Sequence, residues 1–368
     1  MGKIVIVLPR GRRFGPKGAT AIDLCVRDFV SFSRRREDTV IVGEPIEQPF
    51  PGLDFRAVPR PPGDAQWLYA ERLADFVGAL SPDLVVVHQH MPSATRLAKR
   101  LRRTPVLIHR HNAPKSRPAS LKGAFGRWRD EADYARFART IWVSDFCRDA
   151  FVASFPQFAS RAITVHNGLD FQSWRPAAQR RQEILFVGRL TREKGCLESA
   201  QALARMLPRH PDWSARFILS KRQADPDYEA AVLSALAPLG AQARLAIDAP
   251  HDQVQTAFCE AAIALAPSLY EEPFGRTAIE AFAGGAALAC SMRGGLREIA
   301  EGFAQAATPP NADTIEAAIE RLIASPEHRT ELAASGRRRG ETLFDIRAGA
   351  AKLDALYDEV AREAGIAR

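Results

Sequence analysis

The sequence AAIALAPSLYEEPFGRTAIEAFA, residues 261–283, is the stretch that most clearly predicts the fold. Its first seven residues form a short apolar run that ends at a proline, which is typical of a buried strand. The tripeptide Pro273-Phe274-Gly275 then predicts a tight turn, and a helix-forming segment follows at Thr277–Ala283. A strand, a turn and a helix in this order form the repeating unit of parallel α/β proteins. The stretch therefore predicts an α/β fold with a helix N-terminus at the turn.

Two carboxylates accompany this turn, Glu272 before it and Glu280 within the helix. A helix N-terminus presents unpaired backbone N–H groups and the positive end of the helix dipole, so it attracts anions. Gly275 would let the backbone approach such an anion closely, because glycine has no side chain. One carboxylate could then hold sugar hydroxyls while the other holds a ribose. Taken alone, two carboxylates at this spacing are more typical of a solvated surface.

The same alternation of short apolar runs and amphipathic segments continues along the whole chain and predicts a parallel α/β architecture. The predicted strands are Ile4–Leu8, Thr39–Val42, Leu84–His88, Val106–Ile108, Thr140–Val143, Ile163–Val165, Ile184–Val187, Arg216–Leu219, Arg244–Ile247, Ile263–Ala266 and Ala287–Ala289. We expect two doubly wound Rossmann-like domains that face each other across a cleft, with ligands at the carboxyl ends of the strands. The predicted domains are residues 1–170 and 182–345, joined by a linker at 171–181. Residues 346–368 are predicted to form a helix that crosses back to the first domain.

Three further motifs complete a recognisable set. The first is Val165–Asp170. The second is the run Phe186-Val187-Gly188-Arg189-Leu190, which continues directly into Thr191-Arg192-Glu193-Lys194-Gly195. The third, after the turn, is Gly294-Gly295 with Glu298. In this order the set resembles glycosyltransferase family 4, the retaining nucleotide-sugar glycosyltransferases with the GT-B fold. The resemblance covers nearly the whole chain and is strongest from about residue 164 to 299. It implies transfer of a hexose from a nucleoside-diphosphate sugar to a hydroxyl of a glycan or glycolipid acceptor.

Arg189 and Lys194 are the candidate phosphate ligands. Gly188 and Arg189 end a predicted strand and Lys194 begins the next helix, so two cations five residues apart lie on either side of a turn. Arginine offers a rigid fork of donors and lysine a point charge, and both suit phosphate oxygens. The resemblance identifies them with the diphosphate-binding Arg and Lys of the family, which stabilise the charge of the departing nucleotide.

The resemblance also gives roles to the residues of the turn. It implies that Glu280 binds the ribose and that Glu272 holds hydroxyls of the donor sugar. Backbone N–H groups from Phe274 through Gly275 to Thr277 would contact the phosphate or the sugar. Many family members carry an aliphatic residue where Arg276 stands. Arg276 therefore either adds a charge near the phosphate or points to solvent.

The first half of the chain contributes a group of histidines. His88 and His90 end one predicted strand, and His109 and His111 end the next. Counting from Pro105, His111 aligns with the active-site histidine of the family, near the donor sugar, and His109 is the competing candidate. We predict that His88 and His90 contact the acceptor. The histidines could instead chelate zinc, but no acidic or cysteine ligand accompanies them. The resemblance implies that the enzyme needs no metal, so neither a metal nor another cofactor is expected.

Two further segments of the first half are expected to contact substrates. Lys17 and Gly18 follow the first strand, where the family often has a Gly-Gly pair close to the donor phosphate and the acceptor. Only the second glycine of that pair is present, so Gly18 is predicted to contact both substrates and Lys17 the acceptor. Asn112, which follows His111, is also predicted to contact the acceptor.

The bulk composition suits two soluble domains. The chain has 368 residues, of which 46% are hydrophobic and 26% charged, and it contains no apolar run of the roughly 18–20 residues that span a bilayer. Five scattered cysteines favour a reducing compartment. Residues 1–8 are expected to form a first strand and not a signal peptide. We therefore expect a cytoplasmic protein, peripheral on the inner face of the plasma membrane.

The positive charge is concentrated in the first half. Residues 1–170 contain 27 Lys and Arg against 17 Asp and Glu, a net charge of +10, and Arg34-Arg35-Arg36 is the densest cluster. Such a surface attracts anionic lipid, phosphorylated glycolipid or nucleic acid, although it could simply aid solubility. We predict an anionic membrane surface as partner, no nucleic acid, and a role in bacterial cell-envelope polysaccharide synthesis.

Two other functions remain open from the sequence. A sugar-nucleotide epimerase of the same fold would bind the nucleotide sugar but transfer nothing to an acceptor. A basic nucleic-acid-binding protein would explain the charge, but the chain has none of the aromatic-basic motifs of common RNA-binding modules. Within the transferase hypothesis, retention is expected from front-face attack assisted by the departing phosphate. A double displacement with a carboxylate nucleophile is the alternative.

Overall fold

A computed structural model describes residues 2–11, 13–61, 63, 65–114, 117–220 and 225–366 of the protein. It divides into two compact units, residues 1–168 with 346–368, and residues 169–345. The boundary lies two residues before the predicted one. The predicted linker, 171–181, belongs to the second unit, where Phe171 and Trp174 are buried.

Parallel strands and helices alternate along the first unit. Its strands are β1 (Ile4–Val7), β2 (Thr39–Gly43), β3 (Asp54–Ala57), β4 (Leu84–His88), β5 (Val106–Arg110), β6 (Arg139–Trp142) and β7 (Ala162–Thr164). The helices between them are α1 (Ala21–Phe32), α2 (Gln66–Ala79), α3 (Met91–Arg100), α4 (Leu121–Tyr134) and α5 (Asp145–Ser154). Strands β1 and β4 are buried along their whole length, as expected for the centre of a parallel sheet with helices on both faces.

The second unit repeats this organisation. Its strands are β8 (Arg181–Arg189), β9 (Ser214–Ser220), β10 (Ala243–Ile247), β11 (Ala261–Ala266), β12 (Ala287–Cys290) and β13 (Gln305–Ala306). Its helices are α6 (Cys196–Met206), α7 (Pro226–Leu236), α8 (His251–Glu260), α9 (Arg276–Gly284), α10 (Gly295–Ala300), α11 (Ala312–Ala324) and α12 (Pro326–Leu343). A last helix, α13 (Ile346–Glu363), belongs to the first unit.

The strand order defines where each sheet changes direction. The first sheet runs β3-β2-β1-β4-β5-β6-β7 and the second β10-β9-β8-β11-β12-β13, with parallel pairing in both. The chain leaves β1 and β8 toward one edge and returns to place β4 and β11 on their other side. In doubly wound sheets this switch point, at the carboxyl ends of the strands, is where ligands bind. Each unit therefore offers one such position.

Helix α13 completes the first unit by packing against α1. Its apolar side chains, including Leu353, Leu356, Tyr357 and Val360, join the same buried core as the residues of α1. The Ser33 hydroxyl donates to the Asp354 carboxylate at 2.6 Å. These contacts connect the two ends of the chain.

The arginines of the Arg34–Arg36 cluster have partners within the first unit, some of them on α13. The guanidinium groups of Arg34 and Arg35 both pair with the Asp358 carboxylate. Arg36 donates to the carbonyl of Gly52 at 2.6 Å. The cluster that the sequence suggested as an open cationic surface is therefore largely engaged within the unit.

Candidate functional site

The switch point of the second unit brings together the ends of β8 and β11. Arg189 is the last residue of β8, and Lys194 follows on the turn before α6. The segment after β11 continues through Pro267 to Glu272 and the start of α9. Because β8 and β11 are hydrogen-bonded neighbours, residues about 80 positions apart in the sequence become adjacent at this edge of the sheet.

Gly195 allows the two segments to approach each other. It precedes α6 with φ +71°, and a Cβ at this position would lie under 3.0 Å from the carbonyl oxygen of Pro267. Only glycine therefore fits both the backbone conformation and the space. The amide of Leu269 also donates to the Glu193 carbonyl at 2.8 Å. The turn after β8 is thus attached to the segment after β11, which places Lys194 next to Glu272.

Glu272 is a buried carboxylate held by three donors. Its Oε1 accepts from the Lys194 ammonium and, at 2.6 Å, from the Ser268 hydroxyl, and its Oε2 accepts from the Tyr270 hydroxyl at 2.7 Å. Burial alone would raise the pKa of Glu272. The Lys194 charge and the hydrogen bonds from Lys194, Ser268 and Tyr270 outweigh burial and hold that pKa below its usual value. Glu272 is therefore ionised at neutral pH.

Ser268 and Tyr270 were not identified from the sequence, although a signal was present. Ser268, Tyr270 and Glu272 alternate along the segment after β11, and alternate residues of an extended chain point to one side. The Lys194 ammonium also lies 5.4 Å from the centroid of the Tyr270 ring, a favourable cation–π position. Tyr270 therefore positions both charges of the ion pair.

Glycines shape the turn between Glu272 and α9. Gly275 precedes the helix with φ +119°, and a Cβ there would lie under 3.0 Å from the Leu296 side chain. Gly294 has φ +59°, and a Cβ there would collide with the backbone of Glu272. The amide of Gly295 donates to the Glu272 carbonyl at 2.7 Å. The start of α10 therefore fixes the backbone that carries Glu272.

Substituting Gly275 should therefore destabilise the second unit. We expect Gly275→Ala to lower the free energy of unfolding by about 2–5 kcal/mol, because it adds backbone strain and a steric overlap. Gly302→Ala is the matched control, since Gly302 also has positive φ, +81°, but has nothing within 4 Å of the added Cβ. Urea denaturation would measure both. Equal losses would show that the contact with Leu296 is unimportant.

The other predicted site residues of the turn, from Phe274 to Glu280, contact neighbouring side chains of the second unit. Helix α9 begins at Arg276, one residue before the predicted start, so Gly275 is its N-cap. The Arg276 guanidinium donates to the Glu280 carboxylate at 2.9 Å, and both residues are largely buried. Arg276 thus faces Glu280 and not solvent. The side chain of Phe274 packs edge-to-face on Phe344, with centroids 5.8 Å apart, while Thr277 is half-buried in the first turn.

Arg189 differs from Lys194 in its accessibility. Its guanidinium makes one weak contact, 3.4 Å from the Glu193 carboxylate, and over a third of the side chain is exposed. Gly188, just before it, would bring a Cβ within 3.3 Å of the Phe186 ring. Arg189 can therefore reorient toward an anion at low cost, whereas Lys194 is already held in place.

The switch point of the first unit carries a stack of three histidines. His88 Nδ1 lies 2.9 Å from His111 Nε2, and the His109 ring stacks on His111 with centroids 4.8 Å apart. His109 is completely buried and His111 half-buried. Of the two candidates for the active-site histidine, only His111 can therefore reach a ligand. The amide of His111 donates to the Gln89 side chain at 2.8 Å, which fixes its backbone.

Two histidines predicted to contact the acceptor have local partners. His88 is buried and lies against His111, so it can position that ring. His90 precedes α3, where its Nδ1 lies 2.8 Å from the Ser93 hydroxyl and accepts from the Ser93 amide at 3.3 Å. Lys17 and Asn112 are exposed, and Gly18 has φ +76° in the loop before α1. The substrate contacts predicted for these five residues stay predictions.

Burial favours the neutral form of His88, His90 and His109. It lowers the pKa of His109 to about 3, and with Arg10 and Arg110 it lowers that of His90 to about 4. The pKa of His88 is also well below its ordinary value, because of burial and of His109. The ligand nitrogens of His88, His109 and His111 lie within 4.8 Å of one another, so the residue types and spacing are compatible with a transition metal.

The chain matches two known protein families along most of its length. Residues 28–173 match the model of Glycosyltransferase Family 4, and residues 170–339 match that of Glycosyl transferases group 1. The two matches meet at the boundary between the units. The second match contains Arg189, Lys194, Glu272 and Glu280, which are the residues of the switch point described above.

Individual proteins show the same similarity. The Spore coat protein SA of Bacillus subtilis is 28% identical over 247 residues, which span 60% of this chain and 65% of that protein. The Lipopolysaccharide 1,2-N-acetylglucosaminetransferase of Salmonella typhimurium is 24% identical over 280 residues, 70% of this chain and 69% of that protein. The crystal structure of HepE from Anabaena in complex with UDP-glucose is 16% identical, with a TM-score of 0.75 over 97% of this chain and 99% of that one.

Proposed function

Because the chain belongs to the family 4 glycosyltransferases, with the GT-B fold, we propose that it transfers a hexose from a nucleoside-diphosphate sugar to a hydroxyl of a glycan or glycolipid. We further propose that the anomeric configuration is retained. The observation that carries the proposal is the buried Lys194–Glu272 pair at the switch point of the second unit. This pair places a cation for phosphate and an oriented carboxylate for hydroxyl groups side by side.

The diphosphate would be bound by charge and by backbone. Arg189 and Lys194 supply two cations, and the N-terminus of α9, opened by Gly275, adds the positive end of a helix dipole. As the bond to the sugar breaks, negative charge grows on the departing diphosphate. A cation that is already in place, as Lys194 is, stabilises that charge without reorganisation during the reaction, which lowers the barrier. Arg189 would turn toward the diphosphate when it binds.

The state of Glu272 supports a role in orientation. A carboxylate with a lowered pKa that already accepts from Lys194, Ser268 and Tyr270 is a weak base and a weak nucleophile. Its remaining lone pair, on Oε2, can accept a hydrogen bond from a sugar hydroxyl. This state favours front-face transfer, in which the departing phosphate removes the proton of the acceptor hydroxyl, over a double displacement through Glu272.

Glu280 is proposed to bind the ribose with Arg276 as its positioning partner. The guanidinium at 2.9 Å from the Glu280 carboxylate keeps it in one orientation on α9. A carboxylate can accept hydrogen bonds from both ribose hydroxyls while keeping this ion pair. Lys221 and Arg222, which follow β9 in the sequence, lie outside the described residues.

The acceptor is proposed to be a lipid-linked or polymeric glycan of a bacterial cell envelope. The support is similarity to the Salmonella lipopolysaccharide enzyme together with the positive charge of the first half of the chain. Among the described helices, none is both long and apolar enough to cross a bilayer.

A screen of nucleotide sugars by thermal shift tests the donor assignment. A ligand at about 100 times its dissociation constant should stabilise the folded protein by about 2.7 kcal/mol. Nuclear magnetic resonance of the product anomeric proton would then decide between retention and inversion. An active enzyme that inverts the configuration, or the absence of a shift with every uridine, guanosine, adenosine and thymidine diphosphate sugar, would contradict the proposal.

Activity should persist without a divalent metal. Arg189 and Lys194 occupy the role that a metal has in many other nucleotide-sugar enzymes, so treatment with EDTA should lower the transfer rate by less than about twofold. The control is the same assay after re-addition of Mg²⁺, Mn²⁺ or Zn²⁺. A loss of activity in EDTA that a metal restores would refute the assignment and would point to the three histidines of the first unit.

A further inference from the structure

Helix α4 of the first unit exposes three large apolar side chains to water. Leu121 is 93% exposed, Phe125 61% and Trp128 63%. The rings of Phe125 and Trp128 lie 5.7 Å apart, so they form one continuous surface. At about 100° per residue, the three side chains fall within about 60° of one another around the helix axis. We call this set, Leu121, Phe125 and Trp128, the α4 stripe.

The opposite face of α4 is the one that contacts the protein. Gly123 and Gly126 are buried there. A Cβ at Gly123 would collide with the carbonyl of Pro118, and one at Gly126 would lie 3.2 Å from the Arg117 guanidinium. Arg117 in turn donates to the Asp130 carboxylate at 2.7 and 2.9 Å. These contacts fix the rotation of the helix, so the stripe is held facing outward.

Cations border the α4 stripe. At about 100° per residue, Lys122 and Arg129 lie about 70–90° from its centre on one side, and Arg127 lies about 130° from it on the other side. All three are exposed, and in the part of the chain that the structure describes none of them forms an ion pair. Arg34 and Arg35, by contrast, are paired with Asp358. The cations available to an external partner are therefore concentrated around α4 to a greater extent than at residues 34–36.

We propose that the α4 stripe inserts into the headgroup region of an anionic lipid bilayer, with Lys122 and Arg129 contacting lipid phosphates. Tryptophan and phenylalanine beside basic residues are typical of helices that lie in the membrane interface. Soluble proteins rarely expose a contiguous surface of this kind without a partner. Charge complementarity selects an anionic leaflet, since each Lys or Arg near such a surface contributes about a factor of five in binding.

The location of the α4 stripe agrees with the proposed function. The biological role of membrane binding inferred here rests on that proposed function. Helix α4 follows β5, so its first turn lies at the carboxyl edge of the first sheet, where His111 is found. Docking through Leu121, Phe125 and Trp128 would bring that edge to the lipid surface. A glycolipid acceptor presents its sugar at the same level. The first unit would therefore meet its acceptor by binding the bilayer.

The test is binding of the full chain to phosphatidylcholine vesicles with and without phosphatidylglycerol. The wild-type protein should bind only the anionic vesicles, and salt should weaken that binding. Phe125→Ser with Trp128→Ser should weaken it by at least about tenfold. Lys122→Glu with Arg129→Glu should weaken it by at least about 30-fold. Trp128→Phe should retain binding to the anionic vesicles, because an aromatic ring is kept at this position.

Two control variants match these changes. Arg102→Glu with Arg103→Glu alters the net charge equally, but in the turn before β5, at the amino edge of the same sheet. Leu245→Ser removes another exposed apolar side chain, in the second unit. Both should bind vesicles like the wild type. Equal losses in the control variants would show that binding depends on total charge or on apolar exposure in general, and would overturn the proposal.

The alternative to a membrane is a protein that binds the α4 stripe, and the same variants distinguish the two. If the chain ignores anionic vesicles and instead forms a dimer that Phe125→Ser with Trp128→Ser dissociates, the stripe is a self-association surface and the proposal is wrong. The thermal shift caused by a nucleotide sugar should be unchanged in all α4 variants. A chain with that shift and no vesicle binding refutes only the membrane proposal, and the reverse result refutes only the proposed function.

Discussion

Lys194→Ala should lower the rate of sugar transfer by roughly 30- to 1000-fold, which corresponds to about 2–4 kcal/mol of transition-state stabilisation. The reason is that the Lys194 ammonium is already fixed beside Glu272 and Tyr270. In the proposed reaction, negative charge on the departing diphosphate develops next to this ammonium. Arg189→Ala should lower the rate in the same range. Steady-state kinetics with the donor found by thermal shift would measure both losses.

Arg192→Ala is the control for this prediction. Arg192 lies on the same turn, but it is paired with Asp225 at 3.2 Å and stacked over Tyr228. Its removal should change the rate by less than about threefold, as for a surface ion pair. If Arg192→Ala and Lys194→Ala are equally impaired, general disruption of the turn, and not phosphate binding, explains the loss.

The two cations should differ in their effect on stability. Removing Lys194 leaves the buried Glu272 carboxylate without its counter-charge, whereas Arg189 is more exposed and has only a weak contact. We expect Lys194→Ala to destabilise the protein and Arg189→Ala to leave its stability nearly unchanged. Adding Glu272→Gln to Lys194→Ala should recover much of the stability but none of the activity.

The pH dependence of unfolding follows from the same pair. Because the pKa of Glu272 is lowered in the folded protein, the pair stabilises the fold above the pKa of the unfolded carboxyl, about 4.3. This stabilisation is lost as the pH falls through the lower folded value. The deficit of Lys194→Ala relative to the wild type should therefore be largest at neutral pH and shrink toward pH 3. A deficit that does not vary with pH would contradict this account.

Glu272 and Glu280 should be distinguishable by the ligand whose binding they support. Glu280→Ala should weaken binding of the free nucleoside diphosphate and of the intact donor by roughly 10- to 150-fold, the effect of about 1.5–3 kcal/mol for a charged hydrogen bond. Glu272→Ala should weaken only the intact donor and slow turnover. Its effect on the free nucleoside diphosphate should be small, because the released Lys194 remains free to bind phosphate.

Isothermal titration calorimetry would measure both ligands for each variant. Glu271→Ala is the matched control, since Glu271 is an adjacent carboxylate that is exposed and lies 3.3 Å from Arg293. Arg276→Ala should resemble Glu280→Ala in a milder form if it orients the ribose ligand. If both Glu272→Ala and Glu280→Ala weaken the free nucleoside diphosphate equally, or if neither does, the roles assigned to them are wrong.

The sequence predicted the strands well because most of them are apolar runs bounded by turns. Each predicted strand is present in the structure. Two strands were missed for physical reasons: β3, Asp54–Ala57, lies at a sheet edge and is mostly exposed, and β13 has two residues. Neither carries the apolar alternation by which a strand is identified.

The sequence also indicated which charged residues belong to the candidate site, but it did not indicate which of them contact each other. Lys194 and Glu272 are 78 residues apart, and their pairing depends on the adjacency of β8 and β11 and on the close approach at Gly195. Local spacing holds no information about such a contact. In the same way, no pattern near Arg34 and Arg35 could reveal that both pair with Asp358, more than 300 residues later.

The return of α13 to the first unit has a consequence for how the protein is made. During synthesis the first 168 residues leave the ribosome long before the helix that covers α1, because all of residues 169–345 must be translated in between. At 5–20 residues per second this takes roughly 10–35 seconds. The Phe29 side chain on α1, which lies against Gly349 of α13 in the complete protein, is not covered by that helix during this time. The second unit, which is continuous in the sequence, can therefore finish folding before the first.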